Sequence, residues 1–109
     1  MADPRWLPVA TFRIQDTSMQ PALQPGDRVL VATWARPRPG DVVVLRDPQR
    51  RGLFLAKRVA QRLPDGALVV AGDNPNVSRD SREFGAVPPA LVVGRVVFRY
   101  LPAARRGRV

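Results

Sequence analysis

Two residues of the sequence could act together in catalysis, Ser18 and Lys57. Ser18 lies in a turn segment, residues 16–27, between an extended run and a β-branched run. Lys57 is the only lysine, whereas the other 17 basic residues are arginines. A lysine that loses its proton can act as a general base toward a serine hydroxyl, but an arginine stays protonated. The one basic residue that is not an arginine is therefore the one that can lose its proton and act as a base.

The composition excludes several other chemistries. The chain has 109 residues with no cysteine and no histidine, which excludes thiol nucleophiles, disulfides, the usual zinc sites and histidine-based triads. We expect neither a metal nor a cofactor. The net charge of +9 would suit an anionic partner, but the arginines are spread along the chain and only 6% of residues are aromatic. A solvated basic surface is the simpler interpretation, and no stable nucleic-acid binding is expected.

The sequence predicts an all-β fold. Twelve prolines and eight glycines divide it into short pieces rich in Val, Leu and Ile, without a sustained helical period. The residues 18–23 are predicted to form one helical turn, and 72–89 a long ordered loop. The predicted strands are Val9–Ile14, Arg28–Thr33, Asp41–Arg46, Leu53–Arg62, Ala67–Ala71 and Leu91–Tyr100.

The length indicates one domain. We divide the chain into an N-terminal extension (1–8), a catalytic domain (9–102) and a basic tail (103–109) that is predicted to be disordered. No apolar run reaches the ~20 residues of a transmembrane helix, and residues 1–8 lack the apolar core of a signal peptide. We therefore expect a soluble, cytoplasmic protein, with a peripheral contact to a membrane left open.

Lys57 is predicted to lie on an apolar face of its strand. Side chains alternate along a strand, so Leu55, Lys57 and Val59 share one face. Burial there disfavours the ammonium form and lowers the lysine pKa toward a range useful for a general base. The alternative is a lysine at a sheet edge whose stem covers apolar surface while its charged end reaches water. The spacing does not decide between the two.

The serine also has two interpretations. By itself, Ser18 suits a turn residue or a helix N-cap better than a nucleophile. The polar loop 72–82 could supply Ser78 or Ser81 as a hydrogen-bond partner for Lys57. Alternatively, that loop is a rigid connector built from Asx turns and an ion pair between Asp80 and Arg82.

Three segments resemble, in order, three conserved boxes of the signal peptidase I family. They are Ser-Met-x-Pro-x-Leu-x-x-Gly-Asp (18–27), Lys-Arg-Val (57–59) and Gly-Asp-Asn-x-x-x-Ser-x-Asp-Ser-Arg (72–82). The resemblance implies a serine endopeptidase that acts on a protein substrate. It also implies a mostly antiparallel β fold, which this family shares with LexA-like self-cleaving repressors.

The resemblance assigns roles to individual residues. Ser18 matches the nucleophile, its backbone N–H matches an oxyanion donor, and Lys57 matches the general base. Ser78 matches the serine that orients the lysine. The residues that would support the site structurally are Asp73, Asp80 and Arg82.

Three departures from the family are visible. Family members usually carry an N-terminal membrane anchor, which we do not expect here because no apolar run in the sequence is long enough. Larger members insert a second β domain before the last box, whereas only 14 residues separate Lys57 from Gly72 here, which indicates a minimal catalytic core. Many members have Ser or Gly two residues before the nucleophile, where it helps to bind the oxyanion. Asp16 is present instead, and its charge would repel the oxyanion, which leaves the Ser18 N–H, aided by Thr17.

Within the family, a short chain without an anchor is most similar to the nickel-type superoxide dismutase maturation proteases. That similarity implies cleavage of an N-terminal extension from the dismutase proform. The first alternative is signal peptidase I-type cleavage of exported preproteins. A LexA-like self-cleaving regulator and a non-catalytic, nucleic-acid-binding β module are further alternatives, and we rank them lower.

Overall fold

The chain folds as one antiparallel β-sheet. The structure is a computed structural model that describes residues 8–109, so most of the predicted N-terminal extension lies outside the described residues. The strands are β1 (Val9–Arg13), β2 (Arg28–Ala32), β3 (Val42–Arg46), β4 (Phe54–Arg62), β5 (Leu68–Ala71) and β6 (Val92–Leu101). Each begins and ends within one residue of the predicted strand. The all-β prediction is confirmed.

The order of strands in the sheet is β1-β2-β6-β3-β4-β5. Among the strands of residues 8–109, only the long C-terminal strand β6 joins segments far apart in the chain, because it pairs with both β2 and β3. Strand β4 pairs with β3 on one side and β5 on the other. The lysine-bearing strand is therefore held between two neighbours, and the edge strands are β1 and β5.

The sheet is buried on both faces, which produces two clusters of buried side chains. In β3, Val42 and Val44 belong to the first cluster, while Val43 and Leu45 belong to the second. This alternation follows from the period of two in a strand. Apolar residues outside the strands complete each cluster. Met19 and Leu23 join the first, and Val87 joins the second.

The segment 72–89 contains more regular structure than the predicted loop. A single helical turn, α1 (Ser81–Phe84), begins after Asp80, whose side chain accepts a hydrogen bond from the Arg82 N–H as an N-cap. A short 3-10 turn, Pro89–Leu91, leads into β6. No helix in the described part of the chain is long and apolar enough to cross a membrane.

The basic tail differs from the prediction of disorder. It forms a 3-10 turn at Ala103–Arg105, and Arg99 and Gly107 exchange two backbone hydrogen bonds of 2.7 and 3.0 Å. The Arg105 guanidinium bonds the carboxylate of Asp27, which is only 2% exposed. A buried carboxylate needs a cationic or hydrogen-bonding partner, and the tail supplies one. A reading of local composition could not anticipate this distant contact.

Candidate active site

Lys57 is buried in the middle of β4. Its side chain is 1% exposed, and Leu55 and Val59 on the same face are also buried. The predicted face of Lys57 is thus confirmed, and the alternative of a lysine whose end reaches water does not fit this burial. Burial lowers the pKa of Lys57 below its ordinary value of 10.5. Such a lysine loses its proton more readily than an exposed one.

Ser18 lies in the turn that connects β1 to β2. The side chain is 4% exposed, and the next residue, Met19, is 1% exposed within the first apolar cluster. The Leu23 N–H donates to the Met19 carbonyl at 2.9 Å, which closes the single helical turn that the sequence predicts. Burial of Met19 and Leu23 anchors the turn, and thereby fixes the backbone of Ser18.

The segment after β5 joins the serine turn to the lysine strand. The Asn74 N–H donates to the Ser18 carbonyl at 2.9 Å, and the Asn74 side chain donates to the Thr17 carbonyl at 3.2 Å. Arg58 pairs with Ala71 in the sheet, so the next position along the same register sets Gly72 beside Lys57. A Cβ atom on Gly72 would lie 2.9 Å from the Ser18 carbonyl oxygen. Ser18 and Lys57 are therefore brought to one place.

Asp80 and Arg82 form the ion pair that the sequence predicts. The Arg82 Nε lies 3.0 Å from Asp80 Oδ1, with Asp80 buried and Arg82 exposed. The other carboxylate oxygen accepts from the Gly72 N–H at 3.2 Å. Although burial alone would raise the Asp80 pKa, these hydrogen bonds and the charge of Arg82 lower it below 3.8. Asp80 is thus a stable anion that raises the pKa of Lys57, while Arg82 opposes it.

Asp73 supports the same segment through a different partner. Arg58 Nε and a terminal guanidinium nitrogen contact the two Asp73 carboxylate oxygens at 2.9 and 2.7 Å. This two-point contact ties the segment after β5 to the residue that follows the lysine. Such bidentate pairs fix geometry as well as adding energy.

Asp16 makes contacts that the sequence did not reveal. Its Oδ1 accepts from the Ser18 N–H at 3.1 Å and from the Ser18 hydroxyl at 2.9 Å. The same carboxylate raises the pKa of Lys57 through its charge. The Ser18 hydroxyl is thus bonded to Asp16 in this structure rather than to Lys57. A short acidic residue two positions before a serine is a common signal for this type of turn, and could have indicated the contact.

The two candidate partners for the lysine bond other groups. Ser78 Oγ lies 2.7 Å from the Asn74 carbonyl oxygen and 3.1 Å from that of Ser18, so it supports the backbone of Ser18. Ser81 Oγ accepts from the Val70 N–H at 2.8 Å. The structure therefore gathers Ser18, Lys57 and Ser78 in one region. The catalytic and orienting roles assigned to them stay predictions.

The third segment of the resemblance includes Gly72 and Asn74, but sequence reasoning assigned neither residue a role. A Cβ on Gly72 would lie 1.7 Å from Ser78 Oγ, so the position has no room for a side chain. Local sequence contains no signal for this constraint, because the atoms that fill the space come from residues 18 and 78. For Asn74, its place before a proline in a polar turn is the available signal.

A groove ends at Asp16, whose carboxylate accepts a hydrogen bond from the Ser18 hydroxyl. It has a volume of about 540 Å³ and runs between β1 and the beginning of β4. The Phe12 and Phe54 rings, which contact each other at 5.3 Å between centroids, both line it, and Asp16 lies beside it as well. Its lining comes from the segments 11–16 and 52–56, together with Val44.

The sequence matches the family described as "Signal peptidase, peptidase S26" over residues 3–62 and 59–101. The two matches overlap at residues 59–62, shortly after Lys57, in the stretch where the sequence predicts that the second β domain of larger members is missing. Three relatives illustrate the similarity. Mitochondrial inner membrane protease subunit 2 of Schizosaccharomyces pombe is 31% identical over 95% of this chain and 76% of its own length. Probable signal peptidase I-1 of Synechocystis is 28% identical over 100% and 76%. Thylakoidal processing peptidase 1 of Arabidopsis thaliana is 25% identical over 96% and 44%.

These matches span nearly the whole chain and include the serine turn, the lysine strand and the segment that joins them. They accompany an all-β fold in which a buried serine and a buried lysine are brought to one region. The chain belongs to the signal peptidase family, peptidase S26, and is a serine peptidase.

Proposed function

We propose that this peptidase uses Ser18 as nucleophile and Lys57 as general base to remove an N-terminal extension from a precursor protein. The observation that carries the proposal is the burial of Lys57, 1% exposed on an apolar face, with a lowered pKa. Burial makes the neutral amine accessible nearer to neutral pH, and the neutral amine is the form that can accept a proton.

The proposed reaction has two stages. Neutral Lys57 accepts the Ser18 hydroxyl proton as Ser18 Oγ attacks the scissile carbonyl, and the Ser18 N–H donates to the oxyanion. The lysine ammonium then protonates the leaving amine, which gives an acyl-enzyme and a released peptide. A water that loses its proton to Lys57 hydrolyses the acyl-enzyme and regenerates Ser18.

The groove supports an extended peptide substrate. Strand β1 is an edge of the sheet, so one side of its backbone is free to pair with another strand. The groove is lined by Phe12 and Phe54 and ends at Asp16, beside the proposed nucleophile. A peptide with apolar residues before the scissile bond would bury them there.

The identity of the precursor is a separate question. The relatives are named signal, inner membrane and thylakoidal processing peptidases, which favours preproteins that carry a targeting segment. Cleavage of a nickel-type superoxide dismutase proform remains a prediction from the resemblance. The names of these relatives do not support that substrate. The cytoplasmic location stays a prediction with it.

The test offers both substrates to one enzyme preparation. Purified wild type is incubated with a nickel superoxide dismutase proform and, separately, with an exported preprotein in detergent, and the products are identified by mass spectrometry. We expect one new N-terminus at a single position, with Ser18→Ala and Lys57→Met inactive. Cleavage that persists in Ser18→Ala would contradict the proposed mechanism, and cleavage of the dismutase proform alone would favour the maturation role.

A further inference from the structure

The resting arrangement of the nucleophile is unusual for a site that must attack a carbonyl. One oxygen of Asp16, Oδ1, accepts from both the backbone N–H and the hydroxyl of Ser18, at 3.1 and 2.9 Å. The proposed reaction uses these same two hydrogens. The N–H must donate to the oxyanion, and the hydroxyl proton must pass to Lys57.

A carboxylate oxygen that accepts from the Ser18 N–H stands where an oxyanion would have to be. The Asp16 carboxylate oxygen and the oxyanion are both negatively charged, and both would accept from the Ser18 N–H. The two oxygens therefore cannot bind this donor at the same time. The hydroxyl proton presents a second conflict, because it points to Asp16 while the proposed base is Lys57. Substrate attack therefore requires Asp16 to leave both positions.

Asp16 is placed so that it can leave. Its side chain is exposed, in contrast to the buried Ser18 and Lys57. It also lines the groove beside β1, so a peptide that enters would contact it. When the carboxylate turns away, it can regain its hydrogen bonds from water, which keeps the cost of displacement small.

We propose that Asp16 caps the nucleophile in the free enzyme, and that substrate must displace it before Ser18 can react. This inference rests on the proposed function, because it assumes that Ser18 attacks. Asp16 is then a residue that limits the rate of the site and favours peptides that bind the groove well enough to move it.

The charge of Asp16 also opposes the reaction, because it favours the protonated form of Lys57, which cannot accept a proton. The charged groups that act on Lys57 are Asp16, Asp80 and Arg82, of which the two carboxylates raise its pKa and the guanidinium lowers it. Burial is the larger effect and lowers the pKa. Removal of Asp16 would take away one of the two charges that raise the Lys57 pKa. That pKa would fall, and Lys57 would become neutral at lower pH.

A purely structural role for Asp16 is the alternative, since a carboxylate that accepts from the N–H two residues ahead also stabilises a turn. The chain contains a matched control. Asp65 Oδ1 accepts from the Ala67 N–H at 2.9 Å in the turn between β4 and β5, and Asp65 is exposed like Asp16. Asp65→Ala removes the same charge and the same kind of hydrogen bond, away from the nucleophile.

The experiment measures binding of a peptide boronic acid with three apolar residues. The Ser18 oxygen donates an electron pair to boron and its proton passes to Lys57, which gives a tetrahedral, negatively charged boronate with no leaving group. Boron NMR identifies the adduct, and titration calorimetry between pH 6 and 10 gives its affinity. Circular dichroism shows that each variant is folded at the temperature used.

We expect Asp16→Ala to bind about 10-fold more tightly than wild type, the size of one hydrogen bond to a charged group. Its adduct should also form at lower pH, while Asp65→Ala should match wild type. Binding by Asp16→Ala that equals wild type or is weaker overturns the inference. If instead no variant forms a tetrahedral adduct, or Ser18→Ala forms one, the assignment of Ser18 as nucleophile fails, and the inference falls with it.

Discussion

At the scale of single residues, burial of Lys57 lowers the stability of the fold but suits the lysine to its proposed role as general base. A buried ammonium is costly, so replacement by an apolar side chain of similar length should stabilise the fold. We predict that Lys57→Met gains about 1–3 kcal/mol in the free energy of unfolding at pH 7 and loses all peptidase activity. Urea unfolding measures the first and peptide cleavage the second.

The sign of the pH dependence follows from the lowered pKa of Lys57. Between the folded pKa and 10.5, the unfolded chain binds more protons at this residue than the folded one. Wild-type stability should therefore rise with pH in that window, and the advantage of Lys57→Met should shrink between pH 7 and pH 10. Gln61→Met, on the exposed part of β4, serves as control and should change stability by less than about 0.5 kcal/mol. A constant advantage across this range would show that the lysine is not desolvated.

Ser78 allows the resemblance and the observed contacts to be compared directly. Its hydroxyl bonds the carbonyl oxygens of Ser18 and Asn74. If this is its role, Ser78→Ala should lower kcat by about 10-fold or more through a misplaced nucleophile, with no change in the pH at which kcat/KM reaches half its maximum. If Ser78 instead binds the lysine ammonium, its loss should shift that midpoint to lower pH. The pH profile of kcat/KM distinguishes the two.

At the scale of elements, the site depends on where β5 ends. Gly72 follows the last residue of β5, and a Cβ there would overlap Ser78 Oγ and approach the Ser18 carbonyl. We predict that Gly72→Ala lowers stability by about 1–3 kcal/mol and activity by at least about 10-fold, since the serine turn must move. Thermal unfolding and peptide cleavage report these two effects.

A second substitution tests whether contact with Ser78 causes the loss of stability in Gly72→Ala. Ser78→Gly removes the Cβ and the hydroxyl that a Gly72→Ala side chain would meet. Gly72→Ala should therefore cost less stability in the Ser78→Gly background than in wild type, so that the two effects are not additive. The 2.9 Å approach to the Ser18 carbonyl oxygen would remain in the double variant. Additive losses would mean that the constraint at Gly72 comes from the Ser18 backbone instead.

At the scale of the whole molecule, the C-terminal segment contacts the turn that contains Ser18, the proposed nucleophile. Asp27 accepts from Arg105 at 3.0 and 3.2 Å and from Arg99 at 3.3 Å. Arg99 also donates to the Ala22 carbonyl at 2.7 Å. Arg99 and Arg105, near the end of the chain, thus stabilise the C-terminal part of the turn segment 16–27.

We predict that Arg105→Ala lowers the free energy of unfolding by about 1–2 kcal/mol, because a buried carboxylate loses two hydrogen bonds. Burial alone would raise the Asp27 pKa, but Arg105, the Gln24 N–H and Arg99 together lower it below 3.8. The stability that this carboxylate contributes is present above pH 3.8 and is lost as pH falls through the folded pKa. The effect of Arg105→Ala should therefore be large at pH 7 and should shrink as the pH falls below 3.8.

The matched control is Arg108→Ala, which removes the same charge from an exposed position in the same tail. Its stability should stay within about 0.5 kcal/mol of wild type. Equal losses for both variants would point to net charge rather than to the contact with Asp27.

The sequence by itself determined the strands and the chemistry that is available. The period of two along 53–62 placed Lys57 between Leu55 and Val59, and that local geometry holds in any sheet with this strand. Turn residues between the apolar runs located all six strands to within one residue. Composition excluded cysteine and histidine chemistry, and the three ordered boxes pointed to a family that the comparisons confirm.

Only the tertiary structure decided which groups meet. The contact of Asp27 with Arg105, and those of Ser18 with Asn74 and Ser78, join residues far apart in sequence. Such contacts depend on the order of strands in the sheet, which no local pattern specifies. The bonds from Ser18 to Asp16 are local, but their meaning for catalysis depends on the position of Lys57 on another strand. The tertiary structure therefore changed Asp16 from a poor oxyanion neighbour into a candidate cap of the nucleophile.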